Sequence, residues 1–148
     1  MYFKNKIISY KGDIRNIDEV PLDGVDCIIH LASIANDPCG DLNPKLTWEV
    51  SALATMRLAD KAKRLGVKRF IYISSIKVNG ENTSGSPFKA DDIPKPEDPY
   101  GISKWEAEQA LRGIADKTGL EIVIIRPPLV YGPGVRANFL RLMKILSG

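Results

Sequence analysis

Four short apolar runs, the last three separated by helical patterns, limit what this chain can fold into. Residues 7–10 (Ile-Ile-Ser-Tyr), 26–31 (Asp-Cys-Ile-Ile-His-Leu), 70–74 (Phe-Ile-Tyr-Ile-Ser) and 121–125 (Glu-Ile-Val-Ile-Ile) each read as a strand. Apolar runs of this length suit a parallel sheet covered on both faces. Between the second and third, Asn43 can cap a helix that Pro44 opens. Leu46, Val50, Leu53, Ala54, Leu58, Ala62 and Leu65 then share a stripe, and Gly66 ends it. Between the third and fourth, Asp98 and Pro99 start a helix that runs to about Ala115. Strand, helix, strand, helix, strand predicts an α/β fold built on a doubly wound parallel sheet.

Composition narrows the function classes. The 148 residues suffice for one domain with a sizeable core, and 44% hydrophobic with 26% charged residues reads as globular. No apolar run approaches a membrane span and no signal-peptide pattern opens the chain, so a cytoplasmic protein without a membrane partner is expected. A net charge of +3 is too small to argue for nucleic acid. The basic cluster Arg57, Lys61, Lys63, Arg64, Lys68 and Arg69 falls around a helix end, where cations suit the dipole, and reads as a solvated face. Cys27 and Cys39 form no C-x-x-C and there is one histidine, so no metal site is expected and both thiols should be reduced.

The chemistry-bearing stretch is residues 98–104, Asp-Pro-Tyr-Gly-Ile-Ser-Lys. Tyr100 and Lys104 lie one helical turn apart, which puts their Cβ atoms roughly 5–6 Å apart on one face. Both would sit near the positive end of the helix dipole. An ammonium beside a phenol favours the phenolate. Work as a base near neutrality needs a downward shift of roughly three pH units from about 10, or about 4 kcal/mol. The plain alternative is a Tyr–Lys pair on a solvated helix face.

In an open parallel sheet, ligands bind beyond the carboxyl ends of the strands. Three such ends carry polar or cationic residues: His30 to Ser33, Ser74-Ser75, and Arg126-Pro127-Pro128. A serine hydroxyl and a tyrosinate there could hold one substrate oxygen from two sides, removing a proton from an alcohol while a neighbouring acceptor takes the hydride. Ser75 read alone is a strand-end turn residue, Asp13 equally a turn former, and His30 a satisfied core histidine. The connection over residues 76–98 is long for a compact domain, which suits either a binding wall or a tolerated insertion.

Taken together, these residues resemble a family. The run Phe70-Ile-Tyr-Ile-Ser-Ser75 with Gly80 beyond it resembles the catalytic-serine strand of the extended short-chain dehydrogenase/reductases. Tyr100-x-x-x-Lys104 resembles that family's signature. Residues 126–134 (Arg-Pro-Pro-Leu-Val-Tyr-Gly-Pro-Gly) resemble the segment after its sixth strand. Residues 30–33 resemble the end of its fourth, and Gly12-Asp13-Ile14 the adenine-contacting turn after its third. The match is closest to the nucleotide-sugar epimerases and dehydratases. The resemblance implies Tyr100 as acid/base, Lys104 lowering its pKa and binding the nicotinamide ribose, and Ser75 hydrogen-bonding the sugar. It implies Asp13 and Ile14 at adenine, Leu31, Ala32 and Ser33 along the dinucleotide, and Pro127 near the nicotinamide. Ser51 stands where the family usually has a cofactor-contacting asparagine. Asn138 is either a helix-start residue or a contact to the nucleotide of a sugar substrate. The implied activity is that of an NAD-dependent UDP-sugar 4-epimerase, or alternatively a nucleotide-4-keto-sugar reductase, with NADP also possible as cofactor.

The same resemblance brings expectations of incompleteness. No G-x-x-G-x-x-G precedes the first strand, and residues 132–137 match G-x-G-x-x-A only formally, with no acidic residue at the required distance. Residues 1–148 are therefore expected to be a partial Rossmann-type domain lacking its first βαβ unit, with the substrate domain absent. Residues 7–10 lose their sheet neighbours, the edge beside residues 26–31 lies open to oligomerisation, and NAD binding is weak.

Overall fold

The structure is a computed structural model describing residues 8–34, 43–83, 85–132 and 143–146. Its centre is a parallel sheet of three strands in the order β1-β2-β3: β1 (Cys27–His30), β2 (Arg69–Ile73) and β3 (Glu121–Ile125). In register, His30 lies opposite Tyr72, and Ile73 opposite Ile125, so the carboxyl ends of all three strands share one edge. The expected strand at residues 7–10 is not formed over 8–10, and Ile7 lies outside the described residues. Ile8 and Tyr10 are exposed instead; no described strand offers them a ladder.

The first crossover opens where the sequence indicates. Asn43 Oδ1 accepts from the Lys45 amide (2.9 Å), and Pro44 begins α1 (Pro44–Trp48). The helix widens into a π-helical turn, Glu49–Leu53, before continuing as α2 (Ala54–Arg64). Such turns gather at functional sites, and this one carries Ser51. The second crossover is α3 (Pro99–Thr118), capped by Asp98 Oδ1 accepting from the Gly101 amide (2.6 Å). It outruns the expected end near Ala115 and stops at Gly119, whose φ of 69° is left-handed.

Both crossovers cover one face of the sheet. Leu58, Ala59 and Ala62 of α2 and Ala107 and Leu111 of α3 form one cluster with Phe70 and Tyr72. Phe70 is fully buried, worth about 2–3 kcal/mol of transfer free energy. Strand alternation turns Ile29 and Ile125 to the opposite face, where they are 62% and 44% exposed. β1 is also an edge strand, so the open edge expected there is present among the described residues.

The basic cluster is more than a solvated face. Lys61 Nζ donates to the carbonyls of Ile17 (2.8 Å), Asp18 (3.1 Å) and Val20 (2.8 Å), holding the N-terminal segment against α2. Arg64, Lys68 and Arg69 pair with Asp60, Asp26 and Glu121. Cys27 is a free, exposed thiol, and Cys39 lies outside the described residues.

Candidate active site

The end of β2 and the start of α3 bring the expected catalytic group together. Ser75 follows the strand and caps a 3₁₀ turn (Ile76–Val78), its Oγ accepting from the Lys77 amide (3.2 Å). Tyr100 sits in the first turn of α3, where the Ser75 hydroxyl is near enough to act on its phenol. Lys104, 2% exposed, donates from Nζ to the Ile73 carbonyl (2.8 Å) at the strand end. That ammonium lies 4.8 Å from the Tyr72 ring centroid and 5.7 Å from that of Tyr100. Gly101 permits this close docking, since a Cβ there would lie 2.9 Å from the Lys77 carbonyl oxygen.

The electrostatics correct one expectation. The Tyr100 phenol is held above its ordinary value rather than lowered. Burial is the main cause, the Ser75 hydrogen bond works against it, and the Asp98 carboxylate adds to the rise. Lys104 is not among the causes of this shift; its ammonium is held by the Ile73 carbonyl and lies nearer the Tyr72 ring than the Tyr100 ring. Burial itself lowers Lys104 to about 8, opposed by Glu108. At neutral pH the pair is therefore a neutral phenol beside an ammonium.

On the β1 side, His30 is a core residue. It is 4% exposed, and its Nε2 lies 2.9 Å from Thr55 Oγ1. Thr55 donates that hydroxyl to the Ser51 carbonyl (2.9 Å), so His30 Nε2 carries the proton toward Thr55. Burial lowers His30 to about 4, with Lys104 adding to the effect. Ser51 is fully buried; its Oγ pairs with Ser33 Oγ (2.9 Å) and accepts from the Ile34 amide (3.2 Å). It thus fixes the turn after β1, while Leu31 and Ala32 stay exposed as a shelf beyond the strand end.

Pro127 arrives beside the serine, because its carbonyl accepts from the Ile76 amide (3.1 Å). Asp13 and Ile14 do not join this group among the described residues. The Asp13 carboxylate accepts from the Arg15 amide (2.9 Å) and guanidinium, which holds it at about 2, and Ile14 packs half-buried against the core. Asn138 lies outside the described residues. The segment 76–98 is fastened at several points: Lys95 donates its amide to the Val78 carbonyl (3.0 Å), Asn79 its side-chain amide to the Lys89 carbonyl (2.9 Å). Lys77 bridges Glu81 and the cap Asp98. Ile76, Thr83, Ser86, Phe88 and Pro128 line a cleft of about 650 Å³ beside this strand end.

Sequence reasoning missed the centre of the charged network. Glu108 is fully buried and accepts from Ser74 Oγ (2.6 Å), Arg126 Nε (2.9 Å) and Arg126 Nη2 (2.6 Å). Arg126 also donates to Asn79 Oδ1 (3.2 Å). The available signal was periodicity: Tyr100, Lys104 and Glu108 recur every four residues on one helix face.

Whether these residues suit a dinucleotide can be read from their donors. Lys104 commits one of its three N–H groups to Ile73, and its ammonium lies between the Tyr72 and Tyr100 rings. With Ser33, the exposed Leu31 and Ala32, and Pro127, these are the groups that would hold the nicotinamide half of a dinucleotide. The glycine-rich turn that would hold the pyrophosphate is not in the sequence.

Fold and site define a Rossmann-type α/β domain with a serine, a tyrosine and a lysine gathered at its strand ends. The chain belongs to the NAD dependent epimerase/dehydratase family, whose model matches residues 4–146. It is 49% identical over 132 residues to a UDP-glucose 4-epimerase of Vibrio cholerae, covering 87% of this chain and 40% of that protein. Among solved structures it resembles the dTDP-glucose 4,6-dehydratase DesIV of Streptomyces venezuelae, which has NAD bound (TM-score 0.80, 28% identity, 92% of this chain and 44% of that one). It also resembles RMD of Pseudomonas aeruginosa complexed with NADPH (TM-score 0.75, 28% identity, 88% and 46%). The chain thus spans less than half the length of each of these relatives.

Proposed function

We propose that this chain carries the acid/base half of an NAD-dependent nucleotide-sugar epimerase of the UDP-sugar 4-epimerase type. The observation that carries the reading is the meeting of Ser75, Tyr100 and Lys104 at the carboxyl end of β2. The 49% identity to a UDP-glucose 4-epimerase favours a UDP-linked sugar and reaction at C4. Lys104, Ser33, Leu31, Ala32 and Pro127 would hold the nicotinamide half of NAD, and Asp13 and Ile14 its adenine. Bound there, the cofactor supplies an acceptor and donor of hydride.

The chain's own residues handle the oxygen. Ser75 positions the C4 oxygen against the Tyr100 hydroxyl, and Tyr100 exchanges a proton with it. A phenol held above its ordinary value is poised as the acid, which serves the return of a proton to a ketone oxygen. That observation also supports the alternative, reduction of a ready-made 4-keto sugar, with NADP as a possible cofactor. Asn138 belongs to the same reading as a contact to the nucleotide, and a cytoplasmic setting suits the free thiol of Cys27.

Turnover of UDP-glucose and UDP-galactose in a coupled assay with NAD tests this. A rate that Tyr100→Phe lowers by at least about 100-fold supports it, and equal rates in the two proteins overturn it. A second reading has the exposed Ile29 and the open β1 edge in its favour: a non-catalytic piece that associates through that edge. A folded chain that self-associates and turns nothing over would favour it.

A further inference from the structure

Of the described residues 81–91, all but Phe88 are exposed. Thr83, Ser86 and Phe88 nevertheless wall the cleft that Ile76 and Pro128 close beside the turn after Ser75. An exposed segment keeps its place through tethers rather than through a core. Its own turn closes locally: the Lys89 amide donates to Asp92 Oδ2 (2.8 Å), and the Asp92 amide to the Lys89 carbonyl (3.3 Å). Those bonds shape the segment without attaching it to the sheet.

One buried side chain makes the attachment. Asn79, 4% exposed, donates from Nδ2 to the Lys89 carbonyl (2.9 Å) and accepts at Oδ1 from Arg126 Nη1 (3.2 Å). The guanidinium is itself fixed, because Nε and Nη2 both donate to Glu108 (2.9 and 2.6 Å). Its Nη1 also reaches the Ala90 carbonyl (3.4 Å). An arginine only donates and a backbone carbonyl only accepts, so the group between them must do both, as a carboxamide does. The Phe88 ring lies alongside, over Gly80, where a Cβ would sit 3.5 Å from its Cζ. We propose that Asn79 is the positioning residue for this wall: its carboxamide ties the Lys89–Ala90 backbone to Arg126 and so holds Phe88 in place along the cleft. The consequence for catalysis rests on the reading of this strand end as the place of the sugar; the placement of the wall does not. A ligand meeting a preset wall does not have to order one, which lowers the cost of binding.

The test is trypsin cleavage of the full 148-residue chain at Lys89–Ala90. Between Lys77 and Lys104 this is the one tryptic bond not blocked by a following proline, since Lys95 precedes Pro96. Asn79→Asp keeps an acceptor for Arg126 and removes the donor to Lys89, whereas Asn79→Leu removes both. Both variants should speed cleavage at Lys89 about fivefold or more while the bonds after Arg57 and Lys61 in α2 stay intact. In the coupled assay they should raise KM for UDP-glucose more than they lower kcat. Cleavage needs no turnover, so the catalytic reading and this one fail separately. Asn79→Asp decides alone if Asn79→Leu does not fold, and cleavage decides alone if the unaltered chain turns nothing over. A rate at Lys89 unchanged in Asn79→Asp, or one that rises only together with the α2 bonds, overturns the proposal, as does faster cleavage with KM unaltered.

Discussion

On the face covered by α2 and α3, Phe70 and Tyr72 have no exposed surface, and among the described residues no buried side-chain nitrogen or oxygen lacks a hydrogen-bond partner. On the opposite face Ile29 and Ile125 stand open; β1 is an edge strand, and residues 8–10 form no strand. The residues proposed for catalysis all depend on the covered face, through Lys104 on Ile73 and Glu108 on Ser74. The shelf proposed for the cofactor extends from the open edge. A proton-handling site needs only one strand end and one helix turn to be held rigidly, whereas a dinucleotide site needs a longer, continuous surface.

The comparison breaks most visibly at Glu108. Glu108→Ala leaves Arg126, 11% exposed at its side chain, without its anion, and should cost about 3–5 kcal/mol in urea unfolding. A cost under about 1 kcal/mol would mean that the covered face is not knit through this pair.

A smaller effect follows from His30. Its folded value of about 4 lies below the unfolded value near 6.5, so the unfolded chain takes up a proton first as pH falls. Stability contributed by keeping His30 neutral is complete above pH 6.5 and is lost between there and pH 4, by about 3 kcal/mol in all. His30→Gln should remove that pH dependence in denaturation curves, and an unaltered slope would show that His30 is not the group titrating.

The open face should respond least. Ile29→Lys is expected to change stability by no more than about 0.5 kcal/mol, since Ile29 is 62% exposed. It should also reduce self-association in sedimentation, because a charge on an edge strand blocks pairing. A loss on the scale of a core substitution would show that this face is covered.

The sequence made some of this plain. Asn43-Pro44 and Asp98-Pro99 open their helices where capping chemistry requires, and the strand at 121–125 is read to its ends, because caps and apolar runs act locally. Tyr100 and Lys104 were legible for the same reason. Residues 8–10 were misread, since an Ile-Ile-Ser-Tyr run has strand propensity but a strand also needs a neighbour. The raised phenol was hidden as well: the spacing brings Lys104 near, yet burial and the Ile73 carbonyl decide its effect, and both are tertiary. Glu108 was passed over because its partners, Ser74 and Arg126, lie 34 and 18 residues away in the chain.

The coupling of Ser75 to Tyr100 is the core of the account, and the titration of the Tyr100 ring by carbon NMR, with and without Ser75→Ala, measures it directly. The account predicts a midpoint above the ordinary tyrosine value of 10, rising further when the serine hydroxyl is removed. A midpoint at the value of an exposed tyrosine, indifferent to Ser75→Ala, would contradict it.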